Sequence, residues 1–371
     1  MFLENRTANI ARRSMLIKHN PFSLTVILIC LASCVMAELI EVASSPTHMW
    51  NGLAISKNGR MFATFHRMPD ETENPSIAEV LSDGSVKPFP GGEWNNWIPG
   101  KPVDKAFVNT NAVQIFDDNF LWVVDFGAFD GKVIEGASKI VQIDLNTNKV
   151  HRIYSFGSEI APLRSHLNDI RIKDRIAYIS ESGMGALIVL DLDTCKARRL
   201  LGNSPLTKAD PNRIPIAEGK EMRDSSGKIV INHVDDIELS PDGQWLYFST
   251  MTGPLRRIRT RYLRDQSLAD SDLSGKVETY YDIPTIGGMT GDNEGNFYFS
   301  DATHSAISML TPEKQMKFLV RDSRLAWPDA PYLANDGYLY IPVAQINRLP
   351  TSQGGVSRVQ PPFKIFKLKV R

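Results

Sequence analysis

Residues 234–250 read VDDIELSPDGQWLYFST. Ile237, Glu238 and Leu239 alternate apolar and polar, Ser-Pro-Asp-Gly supplies a turn, and an aromatic-rich run follows. Period two on either side of an Asp-Gly turn is a β-hairpin. Five other stretches repeat the pattern: WNGLAISKNGRMFATF (50–65), TNAVQIFDDNFLWVVDFG (110–127), LNDIRIKDRIAYISESG (167–183), IGGMTGDNEGNFYFSDA (286–302) and PDAPYLANDGYLYIPVA (328–344). Their aromatic anchors are Phe62, Trp122, Tyr178, Tyr247, Tyr298 and Tyr340.

A second hairpin follows most copies, as in SIAEVLSDGSVKPF (76–89), SKIVQIDLNTNKVHRIYSF (138–156), GALIVLDLDTCKARRLL (185–201) and SAISMLTPEKQMKFLV (305–320). Four strands per unit and six units predict an all-β fold, a six-bladed β-propeller. The run KIFKLKV (364–370) has no hairpin partner after it, and LIEVAS (39–44) precedes the first unit. The two ends are therefore expected to share one blade and close the ring, which removes exposed sheet edges. Residues 38–371 are read as one propeller domain. Two long connections, 88–106 and 201–232, lie outside the repeat, and loops of that length are candidate lids or binding loops.

The chain has 371 residues with 42% hydrophobic and 23% charged content, ordinary for a globular protein. Lys+Arg and Asp+Glu are 42 each. That balance argues against nucleic-acid binding, which needs a basic face. Residues 22–37, FSLTVILICLASCVMA, follow Lys18 and His19, with Arg12 and Arg13 further back. A basic region, a short apolar run and a small-residue end describe an export signal spanning residues 1–37. Met15 offers a start with a more usual basic region. The apolar run is too short for a comfortable membrane span, so none is expected after signal removal. Cleavage after Val35-Met36-Ala37 competes with a lipobox, Leu31-Ala32-Ser33-Cys34, which would place a lipid anchor on Cys34. The expected location is secreted or periplasmic. Removal of the signal leaves Cys195 as the only cysteine, so neither an intramolecular disulfide nor a zinc-cysteine site is expected.

Aligning the six copies gives one equivalent position per blade: Asn51, Asn111, Asn168, Asp235, Gly287 and Asp329. Asn and Asp are poor strand formers, so five of them at strand starts mark a ring of convergent polar groups. The same residue types also make turns. His166 and His233 each stand two residues before a ring position, on the same strand face if the strand has begun. An imidazole beside a carboxylate can act as a general base, which makes both catalytic candidates. Asp169 and Asp236 follow the ring and are expected to face away under regular pairing. Oxygen donors suit a hard cation such as calcium or magnesium, with Asn168 and Asp235 as candidate metal ligands.

The order of these motifs resembles the major royal jelly protein/yellow family of six-bladed propellers. The matching stretches are GRMFATFHR followed by PSIAEVL, then NAVQIFDDNFLWVVDFG, LNDIRIKDRIAYISESGMGALIVLDL, IELSPDGQWLYFSTMTGPLRRIRTRYLRD and AWPDAPYLANDGYLYIPVAQINR, ending on FKIFKLKV. The likeness covers roughly residues 47–370. It implies a secreted protein with a small-molecule pocket at the channel mouth, since the family includes dopachrome-converting and amine-binding members. Insect members usually carry disulfides; this chain has none to form, and with its lipobox-like signal it looks bacterial. The senescence-marker/gluconolactonase hydrolases are more distant relatives, whose channel metal is held by Glu, Asn and Asp at blade starts. Asn168-Asp169 resembles one such element, but Asn51 stands where a Glu is expected and Gly287 where an Asp is expected.

The resulting expectation is an exported propeller that binds a small organic molecule in its channel, with isomerase, tautomerase or hydrolase chemistry open. Asn51, Asn111, Asn168, Asp235 and Asp329 are the ligand-binding candidates. The alternatives are a divalent-metal-dependent lactonase-type hydrolase and a non-enzymatic protein-interaction scaffold.

Overall fold

A computed structural model describes residues 38–67 and 75–371. The export-signal reading falls on residues 1–37, outside the described residues. Six four-stranded antiparallel sheets follow in chain order. The first blade comprises Leu53–Ile55, Met61–Thr64, Ile77–Val80 and Val86–Pro88, and the second Thr110–Ile115, Phe120–Asp125, Lys139–Asp144 and Lys149–Ser155. The third has Leu167–Lys173, Ile176–Glu181, Ala186–Asp191 and Ala197–Leu200. The fourth has Val234–Leu239, Trp245–Thr250, Leu255–Arg259 and Glu278–Tyr281. The fifth has Ile286–Gly291, Phe297–Asp301, Ala306–Leu310 and Met316–Arg321. The sixth runs Tyr332–Leu333, Tyr338–Val343 and Phe363–Lys369, and its outer strand is Leu39–Ser45 from the other end of the chain. The pairing Leu39↔Leu368 to Ser45↔Phe363 closes the ring as the sequence predicts, and Lys364 Nζ clasps Glu41 Oε2 at 2.7 Å.

The reason the sheets stack into a ring is visible in the second strand of each blade. Successive side chains there point to opposite faces, and each face meets a different neighbour. Leu121 and Val123 pack toward the first blade, while Trp122 and Val124 pack toward the third. All six aromatic anchors face the following blade: Phe62, Trp122, Tyr178, Tyr247, Tyr298 and Tyr340 each join the apolar cluster on that side. One cluster fills each of the six blade interfaces. Each buried anchor contributes about 1.5–3 kcal/mol by leaving water.

Polar staples near the axis join the same neighbours. The Thr64 hydroxyl donates to Asn111 O at 2.5 Å, the Ser180 hydroxyl to Asp235 O, and the Ser300 hydroxyl to Asp329 O at 2.6 Å. Each acceptor is the ring position of the next blade. Val124 occupies the corresponding place in the second blade, and Asn111 Nδ2 donates to Asn168 O at 3.0 Å instead. Asp125, at the end of the second blade's second strand, is fully buried with Lys139, their charges 2.9 Å apart. Asp125 also accepts the N–H groups of Val108, Asn109 and Gly127, which folds the chain entering that blade.

Two short helices, Thr260–Arg264 and Asp270–Ser274, connect the last two strands of the fourth blade. Among the described residues, no helix is long and apolar enough to cross a membrane.

Candidate functional site

The inner strands do not pair regularly where the ring residues stand. The register slips between Thr110 and Val113, between Leu167 and Ile170, between Val234 and Asp236, and between Ile286 and Met289. Each slip inserts one extra residue opposite the second strand, a β-bulge, which re-aims the side chains around it. All six ring positions, Asn51, Asn111, Asn168, Asp235, Gly287 and Asp329, line a single cavity of about 540 Å³ at the channel mouth. Asp169 and Asp236 line it too. The expectation that they face away is corrected by the bulges, which break the period-two alternation on which it rested.

Gly287 is the ring position without a side chain, and the packing explains it. A Cβ there would lie 2.1 Å from Pro328 O and 3.0 Å from Trp327 Nε1. The sixth blade's entry passes directly over this point.

The cavity has two chemically distinct sides. On one, Asn51 Nδ2 donates to Asn111 O at 3.0 Å, Asn111 Nδ2 to Asn168 Oδ1 at 2.8 Å, and Asn168 Nδ2 to Ser182 Oγ at 3.1 Å. His66 Nε2 stands 2.7 Å and His166 Nε2 3.4 Å from Asn111 Oδ1, and His166 stacks on Phe126 at 3.9 Å. Burial lowers the pKa of both imidazoles, that of His166 to about 3 with help from His66, so both are neutral.

On the other side stand carboxylates. Asp169 is held by Arg171 at 2.7 Å, and Arg171 also pairs with Glu238 at 3.0 Å. Asp235 accepts from the Asn232 amide. Asp329 Oδ1 accepts from Ala330 N at 2.9 Å. Asp236 Oδ2 and Asp329 Oδ2 are buried without a partner, on side chains 6% and 7% exposed. Burial, then the neighbouring Asp169, pushes the Asp235 carboxyl up to about 7. Burial pushes Asp236 and Asp329 up as well, reinforced by Asp235, Asp169 and Asp329 around Asp236 and by Asp235 beside Asp329. Among the described residues, no Lys or Arg lines the cavity.

His233 is not in the wall. Its Nδ1 accepts from Ala209 N at 3.1 Å and its own N–H donates to Ser182 O, so it anchors the 201–232 connection. The same-face argument fails because Val234 is the first strand residue and the bulge follows at once. His66 is the residue that sequence reasoning missed. It lies two places after the hydroxyl that staples the first blade to the second, equivalent to Phe126 and Ser182, so the second strands carry a register of their own.

The long connection 201–232 contributes Met222, Val230, Ile231 and Asn232 to the cavity, and Ile346 and Thr351 come from the return to the last strand. These two segments are clasped together. Glu218 meets Arg348 at 2.5 Å and accepts from Asn347 at 2.7 Å, while Arg223 N donates to Ser352 O at 3.1 Å.

Among the described residues, no group of three or more His, Cys, Asp or Glu side chains is arranged to hold a metal ion. Asn168 Oδ1, one of the two candidate ligands, already accepts from Asn111.

Six four-stranded blades around a polar channel, with ring residues converging on its mouth, make this a β-propeller with a channel-mouth site. The sequence profile of the major royal jelly protein family matches residues 110–351, and the chain belongs to that family. No curated protein matches it. Among solved structures it is similar to a gluconolactonase from Xanthomonas campestris, with 13% identity, 90% of each chain covered and a TM-score of 0.53. It is similar to a calcium-binding regucalcin from Agrobacterium tumefaciens, with 13% identity, 90% of this chain and 96% of that one covered, and a TM-score of 0.53. A streptogramin B lyase matches with 16% identity, 90% and 98% coverage and a TM-score of 0.50. At these identities the likeness is one of fold.

Proposed function

We propose that the channel cavity binds a small organic cation, a protonated amine attached to an apolar body. The observation that carries this reading is the imbalance of charge. Four aspartates line the cavity, Arg171 pairs directly only with Asp169 among them, and among the described residues no Lys or Arg shares the wall. Uncompensated carboxylates in a partly dry site are costly and are relieved by a cation. Met222, Val230, Met251, Met289 and Trp327 offer apolar surface for the rest of the molecule. In isothermal titration calorimetry, phenethylamine is expected to bind at least about tenfold more tightly than uncharged 2-phenylethanol. Because Asp235 is held up to about 7, binding at neutral pH should release protons, seen as a dependence of the heat on the buffer. Equal affinity for the amine and the alcohol would remove the proposal.

A second reading, lactone hydrolysis or tautomerisation of the bound molecule, is favoured by one observation. A carboxyl titrating near neutrality is suited to general acid–base work, and the fold is that of the gluconolactonase and regucalcin structures. In this reading Asp235 moves the proton, while the neutral His166 and His66 and the amides of Asn51, Asn111 and Asn168, on the opposite side of the cavity, orient oxygen atoms. Titrimetric assay of a sugar lactone is expected to give a rate that turns over near pH 7 and is lost in Asp235→Asn. A variant as fast as the wild type would end this reading.

A further inference from the structure

Beside the channel cavity lies a second pocket of about 300 Å³, and His66 and His166 stand in the walls of both. Its other polar lining includes Arg67, Asn109, Arg164 and Ser165, with Asp130 exposed at the rim. Arg67 is 3% exposed, yet it makes no ion pair among the described residues. Its guanidinium donates to Trp97 O, to Ser76 Oγ at 3.1 Å and to Asn95 O at 3.3 Å, all of them neutral acceptors. The buried Asp125 is already engaged by Lys139 and three backbone N–H groups. Two donors are then left over: Arg67 Nε and Ser165 Oγ are both buried without a partner.

A buried guanidinium is ordinarily compensated by a carboxylate, and a buried donor by an acceptor. Tying down the 88–106 connection explains the two terminal nitrogens of Arg67, which hold Trp97 and Asn95. It explains neither Nε nor the Ser165 hydroxyl. The two residues that carry these unmet donors both line the space that adjoins the imidazole pair, and the imidazoles are themselves neutral. An anion with two acceptor oxygens satisfies one N–H and one O–H. A phosphate dianion demands more donors than the two that remain, whereas a carboxylate matches them.

We propose that this side pocket is a carboxylate subsite, so that the molecule bound at the channel mouth carries a carboxylate as well as an amine, in the manner of an amino acid. The amine half rests on the cation reading given above; the carboxylate half rests on Arg67 and Ser165 alone.

Three probes with one ring separate the halves: phenylalanine, phenethylamine and 3-phenylpropanoate, titrated calorimetrically into the full chain. The wild type is expected to bind phenylalanine at least about tenfold more tightly than phenethylamine. Arg67→Gln is expected to erase that advantage and to leave phenethylamine affinity unchanged. Ser165→Ala, a smaller change that spares the contacts of Arg67 with the 88–106 connection, is expected to reduce the advantage about threefold and decides the matter should Arg67→Gln fail to fold. An advantage preserved in the folded variants overturns the carboxylate subsite. Binding of phenethylamine with no gain for phenylalanine overturns the subsite and leaves the cation reading standing. Binding of 3-phenylpropanoate alone, dependent on Arg67, supports the subsite and removes the cation reading. Binding of none of the three overturns both.

Discussion

Asp236→Asn and Asp329→Asn are each expected to make the ligand-free protein more stable at pH 7.5 and a poorer binder of phenethylamine. Each side chain is almost fully buried and has one oxygen without a partner; burial first, then neighbouring carboxylates (Asp235, Asp169 and Asp329 around Asp236, Asp235 beside Asp329), raises its pKa. Removing the charge relieves that repulsion, with a gain on the order of 1 kcal/mol, or a few degrees in melting temperature. Binding should weaken about tenfold in each single variant and about a hundredfold in the double, since the charge that attracts the cation is what has been removed. The pH dependence has a definite sign. Between the ordinary aspartate pKa and the raised folded values, the folded state holds protons that the unfolded chain has lost. Stability of the empty protein therefore falls as pH rises from about 4 to about 7, and the double variant flattens this slope. Thermal melts across that range test it. Variants less stable than the wild type, with unchanged slope, would mean that the carboxylates are internally satisfied.

The largest loss of stability is expected from Lys139→Met. Lys139 and Asp125 are both fully buried, and the lysine Nζ also donates to Val103 O at 3.0 Å and Ala137 O at 2.9 Å. Removing the lysine strands a carboxylate charge in the interior and releases the 103–109 segment. A cost of about 3–5 kcal/mol is expected, because breaking one side of a buried pair leaves the other uncompensated. Urea denaturation measures it through the midpoint at constant slope. A cost below about 1 kcal/mol would mean that water reaches the pair.

The fold was legible because propeller blades repeat a signal that survives in sequence. Alternation, a turn and an aromatic anchor recur six times, and every anchor found that way packs against the following blade. Aligning first strands was enough to bring Asn51, Asn111, Asn168, Asp235 and Asp329 into one cavity. What local periodicity could not convey was the bulges. An extra residue in a strand leaves no mark in the alternation of Asn168 and Asp169 or of Asp235 and Asp236, yet it turns both members of each pair toward the channel. His233 looked equivalent to His166 for the same reason. His66 belongs to the register of the second strands, which the first-strand alignment does not carry, and Arg67 is conspicuous only once its burial is known, since an arginine in sequence carries no sign of lacking a counter-ion.

The blade shared by the two ends also sets an order in time. Leu39–Ser45 is synthesised among the first described residues and Phe363–Lys369 among the last, and they pair across the whole intervening chain. Until the final strand is made, the earliest one has no partner, and the incomplete circle presents an unpaired edge at each side. So large a sequence separation between contacting strands slows folding and prolongs the interval in which edges can meet other chains. The ring can close only once Phe363–Lys369 has been made. A chain halted just short of that strand would hold five finished blades, half of the sixth and no enclosed channel.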